Sequence, residues 1–290
     1  MKLFESVNYE VIEGVAHLAL NAPKKHNAMS GKMLDEIHAA MWEADNDNDV
    51  HCVLLKGEGP SFCAGYDLGG GGYLSGLNEQ GSYRGGREID DDSWQIERSN
   101  AKIIAIFDMH KPVVAQVHGN CLAGGTDLAL MCDMVICSDD AVFGFPAARG
   151  MGTLPTNMWL YHTSPQWAKR LFLTGDTISG KDAAKIGLVL KSVPSDLLAA
   201  ECEHVTRRMA LIDHHVLAVN KRVLNMGLEL MGAKTLQRFA GEMDARGHKA
   251  PACKQFMKNV KEHGLKGAFE IRDQPFGDSM VSVDKPDVSK

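Results

Sequence analysis

The chain opens on an alternation of apolar and polar residues. Tyr9-Glu10-Val11-Ile12 and Val15-Ala16-His17-Leu18-Ala19-Leu20 flank the turn pair Glu13-Gly14, which predicts an antiparallel hairpin. Past an irregular stretch at 21–27 the period lengthens. Met33, Leu34, Ile37 and Met41 recur at helical spacing behind Ser30, a residue suited to cap a helix, and Asn46-Asp47-Asn48-Asp49 stops the run. Residues 51–56 predict a strand. A further helix starts at Asp90-Asp91-Asp92, where acids favour the first turn, and continues through Ile96, Ile103, Ile104 and Phe107 to His110-Lys111-Pro112. Val113-Val114-Ala115-Gln116-Val117 has the composition of a buried strand. A glycine-bearing turn at 119–125 and a helix from about Asp127 follow it. Beyond them come short strands at 134–137 and 141–145, a helix bracketed by Ser179 and Gly187, and a strand at Leu188-Val189-Leu190.

From about Ser195 only helical periodicity remains, and residues 264–290 are polar with little apolar period. The pattern therefore divides into a strand-and-helix core at 1–195, a helical region at 196–263 and a polar tail at 264–290. Strands alternating with helices predict the α/β class with right-handed crossovers. Residues 57–86 interrupt this order with a glycine-rich run that includes Gly69-Gly70-Gly71-Gly72. They predict a mobile surface loop, which at this length serves as a binding lid or is an insertion.

Composition narrows the function. With 44% hydrophobic and 23% charged residues over 290 positions, the chain has the material for a full core without staples. Lys+Arg 31 against Asp+Glu 37 leaves a net charge of −6, and the basic residues are scattered, so no nucleic-acid partner is expected. No apolar run approaches the ~18 residues of a membrane span. The start, MKLFESVNYE, lacks the apolar centre of a signal peptide. Seven cysteines, odd in number and never spaced Cys-x-x-Cys, predict buried reduced thiols. A cytoplasmic location without membrane contact is the expectation. His214-His215 lacks the i, i+4 spacing of a zinc pair, so no metal is expected either.

Two segments share one design, a strand followed by a glycine-bearing turn and an Ala-Gly step that leads to an acid at an expected helix start. They run from Val53-Leu54-Leu55 through Ser61-Phe62-Cys63-Ala64-Gly65-Tyr66-Asp67-Leu68, and from Val113-Val114-Ala115 through Gly119-Asn120-Cys121-Leu122-Ala123-Gly124-Gly125-Thr126-Asp127-Leu128. Such turns leave backbone N–H groups that bind anions. Side by side, one N–H from each would converge on a single oxygen as an oxyanion hole; the plainer alternative is that the glycines only permit tight turns.

Several motifs occur in order: Asn21-Ala22-Pro23 with Asn27-Ala28-Met29; the Ser61 to Leu68 segment; Lys111-Pro112-Val113-Val114-Ala115 running into Gly119 and Ala123-Gly124-Gly125; and Ala141-Val142-Phe143-Gly144-Phe145-Pro146. Ala168-Lys169-Arg170-Leu171-Phe172-Leu173-Thr174-Gly175 and Ala183-Ala184-Lys185-Ile186-Gly187-Leu188-Val189 extend the series. Over about residues 8–260 the chain resembles the crotonase (enoyl-CoA hydratase/isomerase) superfamily.

That resemblance implies a crotonase-like ββα superhelix with a C-terminal helical trimerisation region, hence a homotrimer or dimer of trimers. It also implies a site for an acyl-CoA thioester of fatty acid metabolism, with no cofactor beyond the coenzyme A of the substrate. The two oxyanion donors fall on the backbone N–H groups of Tyr66 and Gly124. Ala28, Ala64, Gly65, Asp67, Leu68, Gly125, Phe145 and Ala147 fall in the implied substrate site. Lys24 and Lys25 lie where the family meets the nucleotide of CoA, and are either phosphate partners or plain surface.

The hydratase pattern of two glutamates is not kept. The first position carries Asp127, one methylene shorter, and the second, after Phe-Gly-x-Pro, carries Ala147, or Ala148 if the loop is offset by one. An alanine transfers no proton. Asp127 is then the lone matched acid/base, unless it merely caps its helix. Three readings follow: a lyase or isomerase working through an enolate with Asp127; a hydratase with a non-standard second acid, for which Tyr161, His162 or one of Asp90-Asp91-Asp92 are candidates; or a catalytically silent acyl-CoA-binding protein. Asp67 and His118 read as local structural residues.

Overall fold

The computed structural model describes residues 4–69 and 88–287. Ten strands are named in chain order: β1 (Val7–Ile12), β2 (Val15–Leu20), β3 (Cys52–Gly57), β4 (Val113–Val117), β5 (Asn120–Leu122), β6 (Met134–Ser138), β7 (Val142–Gly144), β8 (Thr177–Ser179), β9 (Lys191–Val193) and β10 (Met280–Val281). The helices are α1 (Gly31–Asn46), α2 (Ile89–Asp108), α3 (Gly124–Leu130), α4 (Trp159–His162), α5 (Pro165–Thr174), α6 (Gly180–Lys185), α7 (Leu198–Ala210), α8 (His214–Leu230), α9 (Ala233–Gly247) and α10 (Pro251–Asp273).

A six-stranded sheet runs β1-β2-β3-β4-β6-β9, antiparallel only between β1 and β2. Both faces of its central strands are buried. Val53, Leu55, Val113 and Ala115 point into one core with α1, while Cys52, Leu54, Val114 and Ile136 alternate to the other, under Leu198, Cys202 and Met209 of α7. A second sheet, β10-β8-β7-β5, stands beside the first. The predicted α/β class is the observed one.

Local chemistry explains the elements that match expectation. The Ser30 hydroxyl accepts from Met33 N at 3.1 Å to start α1, and Ser179 does the same for Asp182 N at 3.1 Å in α6. Lys221 of α8 is buried but fully engaged, with Nζ 2.9 Å from the Asp133 carboxylate and donating to the carbonyls of Ile106 and Lys111. It ties the C-terminal helices to the sheet. All seven cysteines are buried thiols.

Five expectations are corrected. The strand expected at Leu188-Val189-Leu190 lies at β9, because Leu188 N closes the turn after α6 on Ala183 O at 2.9 Å. The turn at 119–125 contains β5, and α3 begins at Gly124 rather than at Asp127. Strands do not end at residue 195, since β10 pairs with β8. The polar tail from Gly264 is instead a folded segment: α10 is broken at Gly264 (φ 69) and runs on to Asp273. Charge holds that segment. Buried Arg149 donates to Asp176 (2.8 Å), Asp273 (3.2 Å) and Ser279 (2.9 Å), and its guanidinium lies 3.9 Å from the Phe276 ring centroid. Of the expected loop at 57–86, residues 70–87 lie outside the described residues, whereas Ser61, Phe62 and Cys63 are buried rather than at the surface.

Candidate active site

The two glycine-bearing turns do lie side by side. Cys63 N donates to Asn120 O at 2.9 Å and Leu122 N to Cys63 O at 3.0 Å, so the first turn is stitched to β5 as a short parallel bridge. The contact is backbone against backbone: a Cβ at Gly125 would sit 2.2 Å from Cys63 O, and no side chain fits there. The ring of Tyr66 covers Gly124 so closely that a Cβ on that glycine would come within 2.6 Å of it. Among the described residues no carbonyl accepts the Gly124 N–H. No helix begins at Asp67, contrary to the shared design read from the sequence. Its carboxylate accepts from Gly69 N at 2.9 Å and pairs with Lys25 at 2.8 Å.

Asp127 is buried on α3 and does not cap it. One carboxylate oxygen accepts from the Tyr66 hydroxyl at 3.1 Å; the other accepts from the Thr156 hydroxyl and from Thr156 N at 3.3 Å. Burial pushes its pKa up to about 7, against the opposing hydrogen bonds from Thr156 and Tyr66. Burial, reinforced by the charge of Asp127, likewise raises the Tyr66 phenol well above its usual value.

A cavity of about 590 Å³ opens in front of these turns. Of the residues placed there from the sequence, Lys25, Ala28, Ala64, Tyr66, Asp67, Leu68, Gly124, Phe145 and Ala147 line it. Lys24, Gly65, Gly125 and Asp127 are not in its wall, so Asp127 meets the cavity through Tyr66. The other proposed acids fare differently. Tyr161 points its hydroxyl at Met231 O (3.4 Å) and His162 bonds Leu130 O (2.9 Å), both away from the cavity, and burial lowers the His162 basicity. Asp92 bonds a histidine that lines it, His248.

Sequence reasoning missed the α9 wall, formed by Asp244 and His248, and the C-terminal contribution of Leu265, Phe269, Arg272 and Asp273. The i, i+4 spacing of Asp244 and His248, among the small buried residues Ala240, Gly241 and Ala245, was the available signal. His118 hydrogen-bonds at a distance in the chain rather than locally, with Nε2 2.8 Å from Gly59 O. Among the described residues no group of three His, Cys, Asp or Glu could hold a metal ion, and no helix is long and apolar enough to cross a membrane.

Comparison with known proteins decides the family. The profile of the enoyl-CoA hydratase/isomerase family matches residues 10–278. The chain belongs to the enoyl-CoA hydratase/isomerase family. A peroxisomal Delta(3,5)-Delta(2,4)-dienoyl-CoA isomerase of Arabidopsis thaliana is 33% identical over 195 residues, 66% of this chain and 69% of that protein. A crotonyl-CoA hydratase of Syntrophomonas wolfei is 30% identical over 232 residues, 78% of this chain and 84% of that one. The crystal structure of an enoyl-CoA hydratase from Mycobacterium smegmatis superposes with a TM-score of 0.87 at 33% identity, covering 95% of both chains. Membership of the enoyl-CoA hydratase/isomerase family makes the protein an acyl-CoA-processing enzyme, and its relatives include both hydratases and isomerases.

Proposed function

We propose that this family member binds an acyl-CoA thioester in the 590 Å³ cavity and moves a proton on its acyl chain through an enolate, without adding water. The backbone N–H groups of Tyr66 and Gly124 hold the thioester oxygen, and Asp127 is the base. As a C–H bond beside the thioester breaks, its proton passes to the Tyr66 oxygen while the Tyr66 proton passes to Asp127. The electron pair goes to the thioester oxygen. Preorganised donors stabilise that developing charge more than they stabilise the neutral carbonyl, which is what lowers the barrier.

The observation that carries this reading is the bond of Tyr66, in the cavity wall, to Asp127 behind it. Ala147 favours proton movement over hydration, because it stands in the wall where hydratases of the pattern keep their second glutamate. No cofactor beyond the CoA of the substrate is needed. Lys25, which lines the cavity and pairs with Asp67, is the residue assigned to CoA phosphates in this reading.

Incubation with a panel of enoyl- and dienoyl-CoA thioesters, followed by mass spectrometry and NMR of the products, tests the reading. Isomerised products are expected. Hydrated products would replace this reading with the hydratase one, and thioester binding without turnover would leave an acyl-CoA-binding protein.

We also infer a homotrimer or dimer of trimers. Leu224, Met226, Leu230 and Met231 are exposed on and just after α8, whereas Leu228 packs on the core and Leu236 is half-buried. Exposed apolar side chains of that kind are what symmetric interfaces cover. Light scattering returning a monomer at micromolar concentration would refute it.

A further inference from the structure

The α9 wall of the cavity carries a side-chain cluster that the reaction so far does not use. His248 Nδ1 lies 2.8 Å from Asp92 Oδ2 on α2, and its Nε2 lies 3.6 Å from Asp244 Oδ1 on α9. The three side chains are 6%, 9% and 5% exposed, yet His248 and Asp244 both line the cavity. The cluster is built in. Asp244 Oδ1 accepts from Thr153 N at 2.9 Å, and Gly152 (φ +119) lets that loop approach, since a Cβ there would be 2.3 Å from the same oxygen. A histidine oriented through one ring nitrogen by a carboxylate, with its other nitrogen at a substrate cavity, is the arrangement that general acid catalysis uses.

We propose that His248, oriented by Asp92 and facing Asp244, is the second proton-transfer group of this enzyme and delivers a proton to the acyl chain from the α9 wall. This rests on the enolate reading above. The enolate formed when Tyr66 and Asp127 remove one proton re-forms the thioester carbonyl. In the same step a different carbon takes the proton of His248 Nε2. One C–H bond breaks, another forms, and the double bond moves. The enzyme is left with a protonated Asp127 and a neutral His248, which solvent resets, and no oxidant or water is consumed. Asp244 stands beside the imidazolium as its counterion, and Tyr66 and His248 line the same cavity.

The charge state fits. Burial pulls His248 down, but the hydrogen bond it donates to Asp92 and the charges of Asp244 and Asp92 outweigh it and hold the imidazole above its usual value. Lys249 beside it opposes this, and from α10 the Cys253 thiol, itself raised by burial, contributes no charge at neutral pH.

The experiment follows 3-enoyl- and 3,5-dienoyl-CoA thioesters of eight carbons with the full chain in D2O, reading product formation and deuterium exchange of the acyl chain separately. His248→Gln is expected to lose product formation by about 10²–10⁴-fold while exchange at the carbon served by Tyr66 persists. Asp92→Asn, which acts only by positioning, is expected to move the alkaline limb of the pH profile for product formation to lower pH, because His248 then gives up its proton sooner. If His248→Gln keeps the wild-type ratio of product to exchange, or if Asp92→Asn leaves the alkaline limb in place, the α9 site is refuted alone. Should the wild type neither exchange acyl protons nor form product, the enolate reading and this site fall together.

Discussion

Tyr66 and Asp127 share a hydrogen bond of 3.1 Å, and of the two only Tyr66 reaches the cavity. A buried carboxylate isolated from substrate would be a cost without a use, since burying an ion disfavours its charged form. Coupled to a phenol in the wall, it has the contact that the proposed role of a base acting at one remove requires. Thr156 closes the other side of the carboxylate, so Tyr66 is its route to the cavity.

Asp127→Asn is therefore expected to lower turnover by about 10²–10⁴-fold with thioester binding nearly unchanged. Tyr66→Phe, which keeps the ring over Gly124 and the main-chain donor, should lose a comparable factor. The double variant should lose no more than the worse single, because the two act as one unit. Turnover assays with a parallel thermal-shift titration of octanoyl-CoA check this; wild-type rates in Tyr66→Phe would remove the phenol from the path.

The acidity of Asp127 sets two pH dependences. As the base it must be ionised, so the acidic limb of turnover should fall near pH 7, where its carboxyl titrates in the fold. Its effect on stability has the opposite sense. An acid raised from 3.8 unfolded to about 7 folded holds its proton more tightly in the native chain, so stability drains as pH rises from about 4 to about 7 and is level above that. Asparagine has no such proton. The melting-temperature advantage of Asp127→Asn over the wild type should widen across this window, as denaturation at several pH values would show.

How much of this was legible in the sequence follows from which forces act locally. The hairpin, α1 and α6 were readable because turn residues, caps and apolar period sit within a few positions of one another. The two turns were readable as a matched pair because each carries an Ala-Gly step shortly before an acid, Ala64-Gly65 before Asp67 and Ala123-Gly124 before Asp127. What was not readable depended on distance in the chain. Nothing near residue 248 says that His248 meets Asp92, 156 positions earlier, and nothing near residue 264 says that Arg149 will gather Asp273 and Ser279. Charge pairs leave no periodicity, so a segment they hold reads as a tail.

Ala147→Glu restores a carboxyl to a cavity-lining position next to Phe145 and Pro146. Hydration needs a water activated and a proton delivered, and the unmodified wall supplies no acid there. Crotonyl-CoA hydration is expected to rise from a low baseline in this variant, measured as loss of the conjugated-enoyl absorbance. Robust hydration by the wild type would instead mean that another group already supplies the missing acid.

Arg149 tests whether the C-terminal segment belongs to the site. Its side chain is 3% exposed and its guanidinium joins Asp176 to Asp273, the residue that follows Arg272 at the end of α10 and, like it, lines the cavity. Arg149→Met keeps most of the stem packed but removes every donor. Asp176 still has Arg170 as a partner, so the core around α5 should hold, whereas Asp273 keeps only Arg272 beside it. Truncating one member of a buried ion pair costs about 3–5 kcal/mol when the remaining charge is stranded, and the surviving partners here place the cost below that range. The expected outcome is a modest fall in melting temperature, faster proteolytic cleavage after residue 264, and a raised KM for thioester with kcat less affected, because Leu265, Phe269 and Arg272 no longer hold their wall. A variant with wild-type KM and unchanged cleavage in that segment would show that the latch is dispensable and that α10 keeps its place by the packing of Phe256 and Ala268 alone.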